Sequence, residues 1–272
     1  MTADDSGLRI RSLRVTIGRD DAENDILRGI DLEVPAGQVT GLAGESGSGK
    51  TMTGMSVMGL LPAAARVSGQ ILFEGTDLLE LSPARLNAYR GSRIAMVFQD
   101  PTASLHPMLS IEGQLTDHYR SHTKVSKAAA RKHALEVLEK VQVPDPEIAL
   151  RKYPHQFSGG QLQRIAIASA LMCSPSVLIA DEPTTALDVT VQAGLLRLLR
   201  RLCDDLGLAI LLVTHDLGVM SSLADRIAVM RNGEIVEAGD RYQVITAPTD
   251  PYTRSLIDAL PATQTTGPEA TP

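Results

Sequence analysis

The sequence has no tryptophan, and aromatic residues make up only 3% of its 272 positions, none of them before Phe73. A core built on aromatic rings is therefore excluded, and Leu, Ile, Val and Ala must do the packing. Hydrophobic residues still reach 43%, enough for a substantial buried interior. Cysteine is almost as scarce: Cys173 and Cys203 lie apart and outside any metal-ligand spacing. That excludes a disulfide framework and predicts two buried thiols in a reducing cytosol. No apolar run approaches the ~20 residues that cross a bilayer, and residues 1–7 are polar and acidic, unlike a secretory signal. The expectation is a soluble, cytosolic chain whose membrane contact runs through a partner. Basic residues are outnumbered, 26 Lys and Arg against 32 Asp and Glu, for a net charge of −6. Broad nucleic-acid binding is disfavoured, because affinity for a duplex begins with neutralising phosphates.

What is present is an alternation of strand and helix patterns. Leu8–Ile17 alternates apolar and polar residues, as does 30–34, and Val39–Ala43 is a short buried strand before a helix over 51–61. Further strands are predicted over 68–73, 94–98, 177–180 and Ala209–Val213, with a helix over 189–205 between the last two. A hairpin over 226–236 turns at Asn232-Gly233. From 111 to 150 the texture is helical, with Ala134, Leu135, Leu138 and Val141 on one face. The pattern predicts an α/β fold spanning 8–260 with a helical insertion at about 100–173 and a disordered tail over 261–272.

Gly44-Glu45-Ser46-Gly47-Ser48-Gly49-Lys50-Thr51 is a P-loop set between a strand and a helix. Its glycines let backbone N–H groups curl around phosphates, the helix N-terminus favours negative charge, Lys50 is placed for the β- and γ-phosphates, and Thr51 for Mg²⁺. The apolar run 177–180 delivers Asp181 and Glu182 to a strand's C-terminal end, where open α/β sheets bind ligands. Asp181 is the candidate to orient Mg²⁺, and Glu182 the candidate to polarise an attacking water. Phe157-Ser158-Gly159-Gly160-Gln161 precedes an apolar helix, so Ser158 and the two glycine amides form a second candidate anion site.

With these motifs in order, the sequence resembles the ATP-binding-cassette (ABC) ATPase family over about residues 8–260. The P-loop is followed by a Gln-loop at Gln99, the signature at Ser158, the Asp181-Glu182 pair, a D-loop at Ala186-Leu187-Asp188 and a switch histidine at His215. The resemblance implies a P-loop NTPase core with an N-terminal antiparallel β subdomain and an inserted α-helical subdomain. It further implies ATP and Mg²⁺ as ligands, with Gln99 joining the Mg²⁺ shell and His215 contacting the γ-phosphate. Two chains would pair head to tail, Ser158, Gly159 and Gly160 of one completing the site of the other, and Asp188 contacting the opposing P-loop. The second ATPase could be a copy or a related chain.

Finer phrases are similar to the oligopeptide, dipeptide and nickel importer group: residues 98–107 around the Gln-loop, 179–192 around Asp181, Tyr153-Pro154-His155, and Asp250-Pro251-Tyr252-Thr253-Arg254. The implied setting is the cytoplasmic face of the membrane, bound to permease subunits and served indirectly by an extracytoplasmic solute-binding protein. A soluble ABC ATPase acting on nucleic acid or the ribosome would carry a coiled coil or two cassettes, neither of which this sequence has. An exporter subunit shares the chemistry and is disfavoured by these phrases alone. Two departures stand out. The Cys cluster common in peptide-importing members is missing, which resembles the shorter nickel or metallophore members. The aromatic that usually stacks on adenine is replaced at about Ile17, whose aliphatic side chain would keep part of the contact, with Arg14 or Arg19 as the alternative to cover the base.

Overall fold

Alternating apolar residues make Leu8–Ile17 and Asn24–Val34 the antiparallel strands β1 and β2, with Leu8, Ile10, Leu13, Val15, Leu27, Ile30, Leu32 and Val34 buried. The alternation slips at Ser12, where φ is 46° and the pairing shifts register as in a β-bulge. A computed structural model describes residues 7–18, 23–185 and 187–260 of the chain. The predicted tail over 261–272, Arg19 and Ala186 lie outside the described residues.

Val39–Ala43 forms β3, buried at every position, and leads through the Gly-rich loop into helix α1, Lys50–Met58. The helix ends earlier than the expected 51–61, because Gly59 takes a left-handed conformation (φ 59°) and donates its N–H to the carbonyls of Met55 and Ser56. Ala65–Phe73 and Thr76–Asp77 are β4 and β5, followed by α2 (Pro83–Tyr89) and β6 (Ile94–Val97). The helical stretch comprises α3 (Pro101–Ser104), α4 (Ile111–His122), α5 (Lys127–Lys140), α6 (Pro146–Arg151) and α7 (Gly159–Leu171). Then come β7 (Val177–Asp181), α8 (Val189–Leu206), β8 (Ala209–Val213), α9 (Leu217–Leu223), β9 (Arg226–Arg231) and β10 (Glu234–Asp240). Two short helices, α10 (Arg241–Thr246) and α11 (Pro251–Asp258), follow.

The strands make a four-stranded antiparallel sheet, β2-β1-β4-β5, and a six-stranded sheet, β10-β9-β3-β8-β7-β6. The larger sheet is parallel except for β10, whose hairpin turns at Asn232 (φ 48°) and Gly233 (φ 83°). One of its faces packs Leu42, Ile179, Leu211 and Val213 against the antiparallel sheet and Val57 of α1. The other packs Ile210, Leu178 and Ala180 against α7, α8 and the helical stretch. This double burial is why β6, β7 and β8 read as apolar runs.

Helix α8 shows how the flanks attach. Leu195, Leu198, Leu199, Leu202 and Cys203 form one buried stripe, Asp188 caps its start by accepting from the Val191 amide, and Gly207 (φ 65°) ends it. Cys203 is buried as expected, but Cys173, after α7, is only half-buried. No helix among the described residues is long and apolar enough to cross a membrane.

Candidate active site

The C-terminal ends of β3, β6, β7 and β8 converge on one edge of the parallel sheet, and the loops leaving them build the site. Gly44, directly after β3, is held at φ 148°, and a Cβ there would lie 2.1 Å from the Met230 carbonyl oxygen. Only glycine lets the loop pass so close to β9. Side chains of Ser or Asp cap α4, α5, α7, α8, α9, α10 and α11. The start of α1 differs: its N-cap is Gly49 at φ 109°, with no side-chain cap. Its first amides are left open for an anion. Within the same loop, the buried Ser48 Oγ has no hydrogen-bond partner in the structure.

Lys50 is buried, and its Nζ donates to the carbonyls of Gly44 and Glu45, both at 2.8 Å. Burial pushes its pKa below the ordinary lysine value, against the pull of Glu182, Asp181 and Glu45. The Thr51 hydroxyl donates to Asp181 Oδ1 at 3.1 Å, joining the first turn of α1 to the end of β7. Asp181 is raised above the usual carboxylate range by burial and by Glu182, despite Thr51 and Lys50. Two hard oxygen groups on adjacent elements suit Mg²⁺.

Glu182 occupies a left-handed backbone conformation, φ 46°, unusual for a residue with a Cβ. Its amide donates to the Val213 carbonyl at 2.8 Å. Its carboxylate accepts from His215 Nδ1 at 2.9 Å and from Thr185 Oγ1 at 2.7 Å. Burial works to raise its pKa, but the bonds from His215 and Thr185 and the Lys50 charge outweigh it, so Glu182 sits below the usual range and is ionised at neutral pH.

A cavity of about 730 Å³ is lined by Gly44, Glu45, Ser46, Gly47, Gly49, Lys50, Thr51, Gln99, Glu182 and His215, together with Ile26, Met52, Thr185 and Leu256. Asp181 joins it through Thr51. Ser158, Gly159, Gly160 and Asp188 do not reach it. Ser158 and Gly159 are exposed at the start of α7, where Ser158 Oγ accepts from the Gln161 amide and the Gln161 side chain accepts from the Ser158 amide. Gly160 packs on α8 so closely that a Cβ would lie 2.4 Å from Val191 Cγ1. Asp188 is occupied as the cap of α8.

Ile17 and Arg14 do not line the cavity; Ile26 of β2 and Leu256 of α11 supply apolar wall instead. Sequence reasoning also missed Tyr252. Its hydroxyl accepts the Glu45 amide at 3.1 Å, and the Arg231 guanidinium lies 4.7 Å from its ring centre. The Asp250-Pro251-Tyr252 phrase, which reads as an ancestral mark, is thus a strut under the P-loop. Tyr252→Phe should weaken ATP binding by about 2–10-fold, the worth of one neutral hydrogen bond. Nucleotide titration of both proteins measures it, and equal affinities would show that the strut is dispensable.

Residues 27–185 match the family described as ABC transporter. The chain is 44% identical to the dipeptide transport ATP-binding protein DppD of Bacillus subtilis, over 97% of this chain and 80% of that protein. It is 42% identical to the oligopeptide transport ATP-binding protein OppD of the same organism, over 96% of this chain and 74% of that one. Among solved structures, the dimeric post-hydrolysis state of the ATP-binding cassette MJ0796 bound to ADP and Pi superposes with a TM-score of 0.75 at 27% identity. That match covers 86% of this chain and 98% of the other.

Proposed function

Because the chain belongs to the ABC transporter ATPases, we propose that it is the subunit whose ATP hydrolysis drives peptide import through membrane permease subunits. The peptide class is supported by the relatives, whose names are dipeptide and oligopeptide transport ATP-binding proteins. The observation that carries the assembly is the division of the site. The cavity gathers the P-loop, Gln99, Glu182 and His215, while Ser158 and Gly159 stand exposed outside it. One chain thus holds half of a composite site, and a second ATPase, a copy or a relative, supplies the other half.

In this reading the open amides of α1 and the Lys50 ammonium hold the ATP phosphates. Thr51 and Asp181, with Gln99, would hold Mg²⁺, which offsets phosphate charge when bound. Glu182, kept ionised by His215 and Thr185, accepts a proton from the attacking water as its oxygen bonds to the γ-phosphorus and ADP leaves. His215 fixes the Glu182 carboxylate. The exposed signature of the partner closes over the γ-phosphate, and the helical stretch carries that closure to the permeases.

The test uses cells lacking this chain, complemented with wild type or Ser158→Arg, and labelled dipeptide. Wild type should restore uptake. Ser158→Arg should not, although the purified variant still binds ATP, because its P-loop is intact. Loss of ATP binding in Ser158→Arg would place the signature in its own chain's site. Dipeptide uptake independent of the chain would overturn the peptide class while leaving the ATPase untouched.

A further inference from the structure

Helix α4 carries His118 and His122 one turn apart, so both imidazoles leave the same side of the helix. Cys173, in the turn after α7, places its Sγ 3.9 Å from His118 Nε2. One ligating atom from each of the three residues lies within 4.8 Å of the others, and the two imidazole rings meet edge to face at 5.2 Å between centres. Spacing in the sequence could not reveal this, because Cys173 sits 55 positions from His118.

The backbone facing the cluster is also shaped for it. Gly91, just before β6, has φ +72°, and a Cβ there would lie 2.8 Å from His118 Cε1 and 3.4 Å from His122 Nε2. A larger residue there would crowd the His118 ring and strain the backbone.

We propose that His118, His122 and Cys173 form a binding site for a borderline-soft divalent transition metal, with Zn²⁺ as the representative ion. Two imidazole nitrogens and one sulfur suit Zn²⁺, Co²⁺ or Ni²⁺ and reject Mg²⁺ and Ca²⁺, which require oxygen. Bond lengths of about 2.0–2.1 Å to nitrogen and 2.3 Å to sulfur put tetrahedral ligand atoms roughly 3.3–3.7 Å apart. Small side-chain rotations therefore suffice to close the site. Three protein ligands leave a fourth position for water or an incoming group, and the exposed His122 gives the ion a way in. The site is separate from the nucleotide cavity. It ties α4 to the chain entering β7, the strand that ends in Asp181.

Full-length, nucleotide-free protein is titrated with Co²⁺ and then with Zn²⁺. One equivalent of Co²⁺ should produce a thiolate-to-metal charge-transfer band and intense tetrahedral ligand-field bands, both erased by Zn²⁺. Cys173→Ser should remove the charge-transfer band. Cys203→Ser should leave it unchanged, since that thiol is buried on α8 and bonded by Arg200. His122→Asn, an exposed change that spares the fold, should weaken Zn²⁺ by more than the ~10–100-fold that second-shell losses already cause. A charge-transfer band that is absent, or that survives in Cys173→Ser, overturns the proposal. So does equal Zn²⁺ affinity in wild type and His122→Asn, which would leave a simple thiol–imidazole contact.

Discussion

Glu182→Gln should retain ATP while hydrolysis falls by about 10²–10⁴, the usual worth of a general base. The substitution keeps the size of the side chain, and the amide oxygen can still accept from His215 and Thr185, which hold the carboxylate at 2.9 and 2.7 Å. What disappears is the charge that takes the proton from water. With chemistry blocked and binding intact, the ATP-bound assembly should accumulate, read by nucleotide retention and by size-exclusion chromatography with Mg²⁺-ATP. Turnover at the parental rate would remove Glu182 from the role of base. If the native partner is a related chain, accumulation of the dimer requires that chain, whereas the hydrolysis readout does not.

Lys50→Ala should cost both binding and turnover. Among the described residues lining the cavity, Lys50 is the sole lysine or arginine, and it faces Glu45, Glu182 and the neighbouring Asp181. Without it the cavity presents carboxylates to a polyphosphate. One hydrogen bond to a charged group is worth about 1.5–3 kcal/mol, so ATP affinity should drop at least ~10–100-fold. Hydrolysis should fall to background. Titration with ATP alongside circular dichroism separates lost binding from lost fold, and near-normal turnover in a folded variant would sink the P-loop assignment. Mixing Lys50→Ala with Ser158→Arg chains should recover partial activity if the protein pairs with itself, because one of the two composite sites is then whole.

The parts of this site that were legible in the sequence are those whose chemistry is contiguous. The P-loop occupies adjacent positions between a buried strand and a helix, and Asp181-Glu182 terminates an apolar run that can pack only as an interior strand. The bounds of β3 and β8 follow from the same logic. The convergence of Gln99 and His215 on the cavity was reached through family resemblance, since a single Gln or His carries no local signal. Tyr252 and Leu256 stayed hidden because α11 is short and its contact with the loop bridges 207 positions. The resemblance sets the residue facing adenine at about Ile17, whereas the apolar wall of the cavity is Ile26 and Leu256, which lie on β2 and α11 and carry no motif of their own. Cys173 read as an interior thiol because nothing in its neighbours announces two histidines on a distant helix.

The position of β3 in its sheet has a consequence for how the protein is made. This early strand pairs only with β8 and β9, which are synthesised far later. The loop it feeds is pinned by the Gly233 amide on the Ser48 carbonyl and by the Tyr252 hydroxyl beneath Glu45. Such non-local pairing is slow to form, because long chain closures precede any reward. A nascent chain that has exposed its P-loop can set it against β2 early, but the sheet partners of β3 arrive only when residues 209–231 have left the ribosome. ATP stabilises only a state that binds it, so its contribution grows as β8 and β9 close on β3 and fix the loop.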